Sequence, residues 1–142
     1  LSRLPCKPAW FPGRLRSQSM NKLDTNSDMY RIVGCALGVY NHLKPGYLES
    51  VYGEALELEL LDAGFSVRRQ VKLPITYKGR LLKSKFVADM VINNSYIVEL
   101  KAVSNLSKAH EAQIQSYQKT TGIKEGLLVN FGNMRRLEWR VV

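Results

Sequence analysis

An acid in the middle of an apolar strand is the feature that most narrows how this chain can fold. Phe86-Val87-Ala88-Asp89-Met90-Val91-Ile92 has the composition of an interior strand, with Asp89 at its centre. A polar break, Asn93-Asn94-Ser95, leads into Tyr96-Ile97-Val98-Glu99-Leu100-Lys101, where Glu99 and Lys101 interrupt a second apolar run. An ionised side chain in low dielectric is costly unless it is paired or bound to a metal. Two neighbouring strands that carry three such groups predict a hairpin built around a polar site.

Strand geometry says which groups can meet. Side chains alternate faces, so Glu99 and Lys101 share a face and Leu100 points away. A two-residue turn at Asn93-Asn94 pairs Asp89 with Val98 and sends the two carboxylates to opposite faces. A three-residue turn over Asn93-Asn94-Ser95 pairs Ile92 with Tyr96 and sets Asp89 opposite Glu99. In that register one face reads Val87, Asp89, Val91, Ile97, Glu99, Lys101. The other reads Phe86, Ala88, Met90, Ile92, Tyr96, Val98, Leu100, apolar except for one hydroxyl. Both turns are sterically acceptable, and the clean split favours the three-residue one.

Directly opposed residues have Cβ atoms ~5 Å apart. Two carboxylates at that distance repel by about 3 kcal/mol at an effective dielectric near 20. A divalent cation removes the repulsion, and an all-oxygen donor set suits Mg²⁺ or Mn²⁺. Such a cation polarises a phosphoryl oxygen and acidifies a bound water, and Lys101 on the same face can orient or deprotonate that water. The competing reading is a plain ion pair, Lys101 neutralising Asp89 and Glu99 at a sheet end.

A second motif lies upstream. Gly46-Tyr47-Leu48-Glu49-Ser50-Val51-Tyr52 follows Pro45 and opens an amphipathic helix predicted over 46–64, with Val51, Tyr52, Ala55, Leu56, Leu58 and Leu60 as its core residues. Read alone, Glu49 complements the positive end of a helix dipole and Gly46 is a turn residue. Further on come Asp89, Glu99-x-Lys101, Gln113-x-x-x-Tyr117 and the ending Gly126-Leu127-Leu128-Val129-Asn130-Phe131-Gly132. Together these resemble the GxxExxY family, a branch of the PD-(D/E)XK nuclease superfamily, from about residue 27 to the C-terminus. The resemblance implies an α/β (α+β) fold with a restriction-endonuclease-like αβββαβ core, a mixed central sheet flanked by helices. It implies that Glu49 joins Asp89 and Glu99 around a metal, that Lys101 is the catalytic lysine, and that Gln113 and Tyr117 face the site or the nucleic acid. Ala88 stands where the superfamily signature has proline, a position that does no chemistry.

The remaining pattern fits one domain over residues 20–142. A helix is expected over 27–43, with Ile32, Val33, Ala36, Leu37, Tyr40 and Leu43 at helical spacing, and another over 107–121. Strands are expected near 66–78, 85–92, 96–102, 124–131 and 135–142, with Pro74 marking a bend or an edge, Lys78-Gly79-Arg80 a tight hairpin and Gly132-Asn133 the last turn. Residues 1–19 hold three prolines, four bases and no acid, the composition of a poorly structured leader ahead of Met20. Cys6 and Cys35 match no disulfide or metal framework, and no segment approaches the ~20 apolar residues of a membrane span. The chain therefore reads as cytoplasmic and reduced.

Charge points to the partner. Formal net charge is +9, and +5 without the four bases of the leader. Arg68, Arg69, Lys72, Lys78, Arg80, Lys83 and Lys85 follow one another with no acid between Asp62 and Asp89. Seven bases beside the site form an electrostatic footprint for phosphates, in DNA or RNA. The alternative is a solvated edge strand, which lysine protects from aggregation. Tyr77 could stack on a base or pack across strands, and His110 could be a second base or part of a helix surface. The two functions left are a metal-dependent nuclease and a non-catalytic nucleic-acid-binding or protein-interaction module; a homodimer is compatible with either.

Overall fold

The computed structural model describes residues 27–142, so the leader and Cys6 lie outside the described residues. Helix α1 (Asp28–Leu43) is capped by Ser27, whose side chain accepts from the Tyr30 amide at 3.1 Å. Helix α2 (Glu49–Asp62) begins three residues later than the expected start at Gly46. The delay has two causes. Gly46 takes φ 130°, closed to most side chains, and the Tyr52 hydroxyl ties down the preceding loop, donating to the Lys44 carbonyl at 2.6 Å and accepting from the Tyr47 amide at 3.2 Å. Leu58, expected in the core, is 65% exposed.

Five strands follow: β1 (Val67–Tyr77), β2 (Arg80–Ile92), β3 (Tyr96–Lys101), β4 (Glu125–Asn130) and β5 (Glu138–Val141), with α3 (Lys108–Thr121) between β3 and β4. They lie side by side in chain order, antiparallel except for the β3–β4 pair, which is parallel. The helix α3 crossover is what a parallel connection requires. Strand β1 is therefore an edge, as Pro74 suggested, and its register slips between Pro74 and Thr76. The Lys78-Gly79 turn has φ 49° and 75°, the left-handed pair that suits a two-residue hairpin. Strand β5 starts at Glu138, not 135, because the Asn133 side chain takes the Arg135 amide at 2.9 Å and holds the chain in a loop.

The largest apolar core lies on the sheet face covered by α1 and α2. Ile32, Val33, Ala36, Tyr52, Leu56 and Leu60 meet Met90, Ile92, Val98, Leu100, Leu127 and Phe131 there. Tyr52 stacks on Phe131 with ring centroids 4.7 Å apart. Cys35 is buried in this core, which pushes its thiol up to about 12 and leaves it a packing residue. The opposite face carries α3, with Tyr117 among Val91, Ile97 and Leu73. No helix of the described residues is long and apolar enough to cross a membrane.

Candidate active site

The hairpin takes the three-residue turn. Ile92 pairs with Tyr96, Val91 with Ile97 and Met90 with Val98, while Asn93 and Asn94 adopt φ 52° and 53°, which asparagine tolerates. The ladder stops at Met90, one residue short of Asp89 and Glu99. On the other side Gln70, the residue facing Asp89, has φ 52° and is skipped between the Arg69–Met90 and Val71–Ala88 pairs. Strand β2 thus loses backbone pairing on both sides at Asp89. The expected face split fails beyond this point: Phe86, assigned to the same face as Met90, packs edge-on against Tyr117 of α3 at 4.8 Å.

The two carboxylates fill the gap in the ladder. Asp89 Oδ2 accepts from the Leu100 amide at 2.8 Å, and Glu99 Oε1 accepts from the Asp89 amide at 3.1 Å. Each acid is thereby held by the opposite strand's backbone, which fixes their separation without a cation. Glu99 is only 2% exposed. Burial, followed by the charge of Asp89 and a side-chain hydrogen bond to it, raises Glu99 to about 8 against the lowering effects of the Asp89 amide and Lys101. Lys101 forms no ion pair with either acid among the described residues. Its ammonium donates to Gln113 Oε1 at 3.1 Å, Gln113 Nε2 donates to the Tyr117 hydroxyl at 3.0 Å, and that hydroxyl donates to the Val87 carbonyl at 3.2 Å. Burial and the charges of Glu99 and Asp89 raise the Tyr117 phenol. Asp89, Glu99, Lys101, Gln113 and Tyr117 accordingly form one constellation on the α3 face.

Other residues picked from the sequence fall elsewhere. Glu49 heads α2 in solvent, and among the described residues no three acidic, histidine or cysteine side chains gather closely enough to hold a metal. Gly53, one helical turn on from Glu49, packs against Arg69 and Leu100, on the sheet face opposite the α3 face that carries Glu99 and Lys101. Arg68, Lys72, Lys83 and Lys85 are exposed along the β1–β2 hairpin, as are Lys78 and Arg80 at its tip. Arg69 is the exception. Its guanidinium lies where a Cβ on Gly53 would come within 2.6 Å, and its Nε is buried without a partner, so it packs between β1 and α2 and not toward solvent. Tyr77 is exposed at the hairpin tip. His110 Nδ1 accepts the Ser107 amide at 3.0 Å and closes the capping box of α3.

Sequence reading missed Asn130 and Glu138. Asn130 Oδ1 accepts from the Val103 and Gly132 amides, and its Nδ2 donates to the Val103 carbonyl and to Glu138 Oε1. Glu138 Oε1 also accepts from the Leu106 amide. Burial opposes ionisation of Glu138, but these hydrogen bonds hold it below the usual carboxylate range. The pair thus fastens the segment after Lys101 to β4 and β5. The only available signal was a polar Asn at the end of an apolar run.

The central hairpin of a mixed sheet thus presents two acids and a lysine to one helix face. A family model of the PD-(D/E)XK nuclease superfamily matches residues 26–142, and the chain belongs to that superfamily. The crystal structure of SSO0001 is similar in fold, with a TM-score of 0.54 and 22% identity over 66% of this chain. The match covers 48% of the SSO0001 chain, so this protein corresponds to about half of it. No curated protein matches the chain.

Proposed function

We propose that the protein is a divalent-metal-dependent nuclease that hydrolyses phosphodiester bonds in DNA or RNA. The observation that carries this reading is the Asp89–Glu99 pair, two acids locked together by each other's strands beside an amine that neutralises neither. A cation's charge would relieve the Asp89–Glu99 repulsion that, after burial, raises Glu99, so metal binding would come with loss of the Glu99 proton. The donor set therefore fits Mg²⁺ or Mn²⁺ on Asp89 and Glu99; Glu49, which the GxxExxY resemblance would add, stands in solvent outside that pair. When bound, the cation supplies Lewis-acid stabilisation of the phosphoryl oxygens and a more acidic water.

The chain's own groups do the rest. Lys101 is aimed by Gln113, which is aimed in turn by Tyr117, so the ammonium is held in position before substrate arrives. Water oxygen attacks phosphorus and gives up one proton to solvent, the P–O bond to the leaving strand breaks, and the departing oxygen takes a proton from solvent; Lys101 orients the water and stabilises the charge that develops. Burial of Glu99 under α3 lowers the local dielectric and strengthens these interactions. The exposed bases of the β1–β2 hairpin, Arg68, Lys72, Lys83 and Lys85, hold the phosphates beside the site. Incubation of purified protein with a panel of single- and double-stranded DNA and RNA in Mg²⁺ or Mn²⁺ tests this directly. Cleavage that disappears in Lys101→Met is expected. Salt-sensitive binding with no cleavage of any substrate would leave the non-catalytic nucleic-acid-binding module in its place.

A further inference from the structure

The topology sets three features at one end of the sheet. Strand β2 runs antiparallel to β3, so its first half and the hairpin tip extend past the same end as Lys101. Strands β3 and β4 are parallel, so the loops that follow them, 102–107 and 131–137, also leave at that end. The order β1-β2-β3-β4-β5 then places the basic hairpin on one flank of Asp89, Glu99 and Lys101, and these two loops on the other. Between the loops lies a cleft of about 550 Å³, whose lining includes Ser104, Asn105, Asn133, Arg135 and Arg136 and no acid.

The cleft is held open by its own walls. One wall is fastened by the Asn130 and Glu138 hydrogen bonds to Val103 and Leu106. Gly132 packs so closely on that wall that a Cβ there would come within 2.5 Å of the Val103 backbone. The other wall is set by Asn133, whose carbonyl accepts the Tyr40 hydroxyl at 2.6 Å and whose side chain accepts the Arg135 amide at 2.9 Å and the Arg136 amide at 3.4 Å. The two guanidiniums are exposed and form no ion pair among the described residues. Two uncompensated arginines with hydroxyl and amide neighbours in a preformed cleft select an anion with many acceptor oxygens, and phosphate fits that description.

We propose that this cleft is a second phosphate-contact site, which grips the nucleic-acid strand on the side of Lys101 opposite the basic hairpin. The proposal rests on the nucleic-acid reading above and adds where the strand goes. Ser104 is three residues from Lys101, at most ~11 Å of extended chain. The Phe131 amide donates to the Lys101 carbonyl at 2.8 Å and Arg135 follows four residues on, at most ~14 Å of chain, so the arginines lie within a few nucleotides of the bond attacked. The strand therefore crosses the sheet end from hairpin to cleft over the two carboxylates.

Binding of a fluorescent single-stranded oligonucleotide, measured by anisotropy across a salt series without divalent metal, tests this apart from cutting. Arg135→Gln/Arg136→Gln should weaken binding at low salt and reduce the slope of log K against log salt by about 1.4, two phosphate contacts on a single strand. Arg135→Lys/Arg136→Lys should keep most of the slope. Lys119→Gln/Lys124→Gln removes the same charge at the opposite end of the sheet and should change it much less. A slope equal to wild type in the double glutamine variant, or an equal loss in the distal lysine pair, overturns the proposal. So does polyglutamate competing as well as an oligonucleotide of equal charge, which would make the cleft an acidic-peptide site. If wild type cuts nucleic acid while the slopes do not differ, only this inference fails. If the slopes differ as expected and nothing is cut, the nuclease reading fails alone.

Discussion

Replacing Glu99 by Gln should stabilise the metal-free protein, and by an amount that depends on pH. Glu99 is held at about 8 in the folded chain against 4.5 for the free side chain, chiefly by burial and then by Asp89. The folded protein therefore keeps a proton that the unfolded chain has released anywhere between those two values. Stability contributed by this site is fully present below about pH 4.5, falls as pH rises, and is lost by about pH 8. At roughly 1.4 kcal/mol per pH unit, keeping Glu99 protonated at pH 7 costs about 3 kcal/mol. Gln removes that cost while its side-chain oxygen still accepts the Asp89 amide. Urea unfolding in EDTA at pH 4.5, 7 and 9 should show the variant nearly equal to wild type at the lowest pH. At pH 7 it should be about 3 kcal/mol more stable, equivalent to about 10 °C in Tm for a domain of this size. The difference should grow again by pH 9. No gain at pH 7, or a gain constant across the series, would refute the strained-acid account of the site.

Four further outcomes follow from the same geometry. Mg²⁺ or Mn²⁺ at 100 times its Kd should raise wild-type stability by about 2.7 kcal/mol, and Asp89→Asn should abolish most of that response in thermal melts while leaving the metal-free fold as stable or more so. Lys101→Met should retain the metal-induced shift in Tm and lose cleavage, since the amine touches Gln113 and not the carboxylates; loss of both would make Lys101 part of the metal site. Tyr52→Phe should cost about 2 kcal/mol in chemical denaturation by stranding the Lys44 carbonyl and Tyr47 amide, and an unchanged midpoint would refute its role in holding the loop before Glu49. Gly132→Ala should cost about 3 kcal/mol, because the new methyl meets backbone that cannot move without displacing the segment after Lys101.

How much was legible beforehand can be followed residue by residue. Glu99 and Lys101 were legible as one face because strand alternation is a local rule, whereas Asp89 joins them through the turn that spans Asn93 to Ser95 and its hydrogen bond to the Leu100 amide. The Gly46–Glu49–Tyr52 spacing was equally plain, but its meaning was not. Gly46 and Tyr52 shape and fasten a loop through a positive φ and two hydrogen bonds, and that loop displaces the helix start to Glu49. The hairpin bases were countable in the sequence. That Arg69 turns inward while its neighbours face solvent depends on Gly53 leaving room for a guanidinium on another element.

By itself the sequence determined whatever rests on period and short-range chemistry: five strands and three helices in order, the face shared by Glu99 and Lys101, and the excess of positive charge; that Asp89 joins that face was decided by the register of the folded hairpin. The tertiary structure decided whatever depends on residues distant in the chain. It broke the ladder on both sides of Asp89, so that the carboxylates cap backbone amides. It raised Glu99 by enclosing it, brought Gln113 of α3 to Lys101, and joined two loops nearly thirty residues apart around Arg135 and Arg136. The physical reason is that burial and electrostatics are properties of a volume. A side chain's ionisation and reach are set by whichever segments fill the space around it, and local sequence does not specify them.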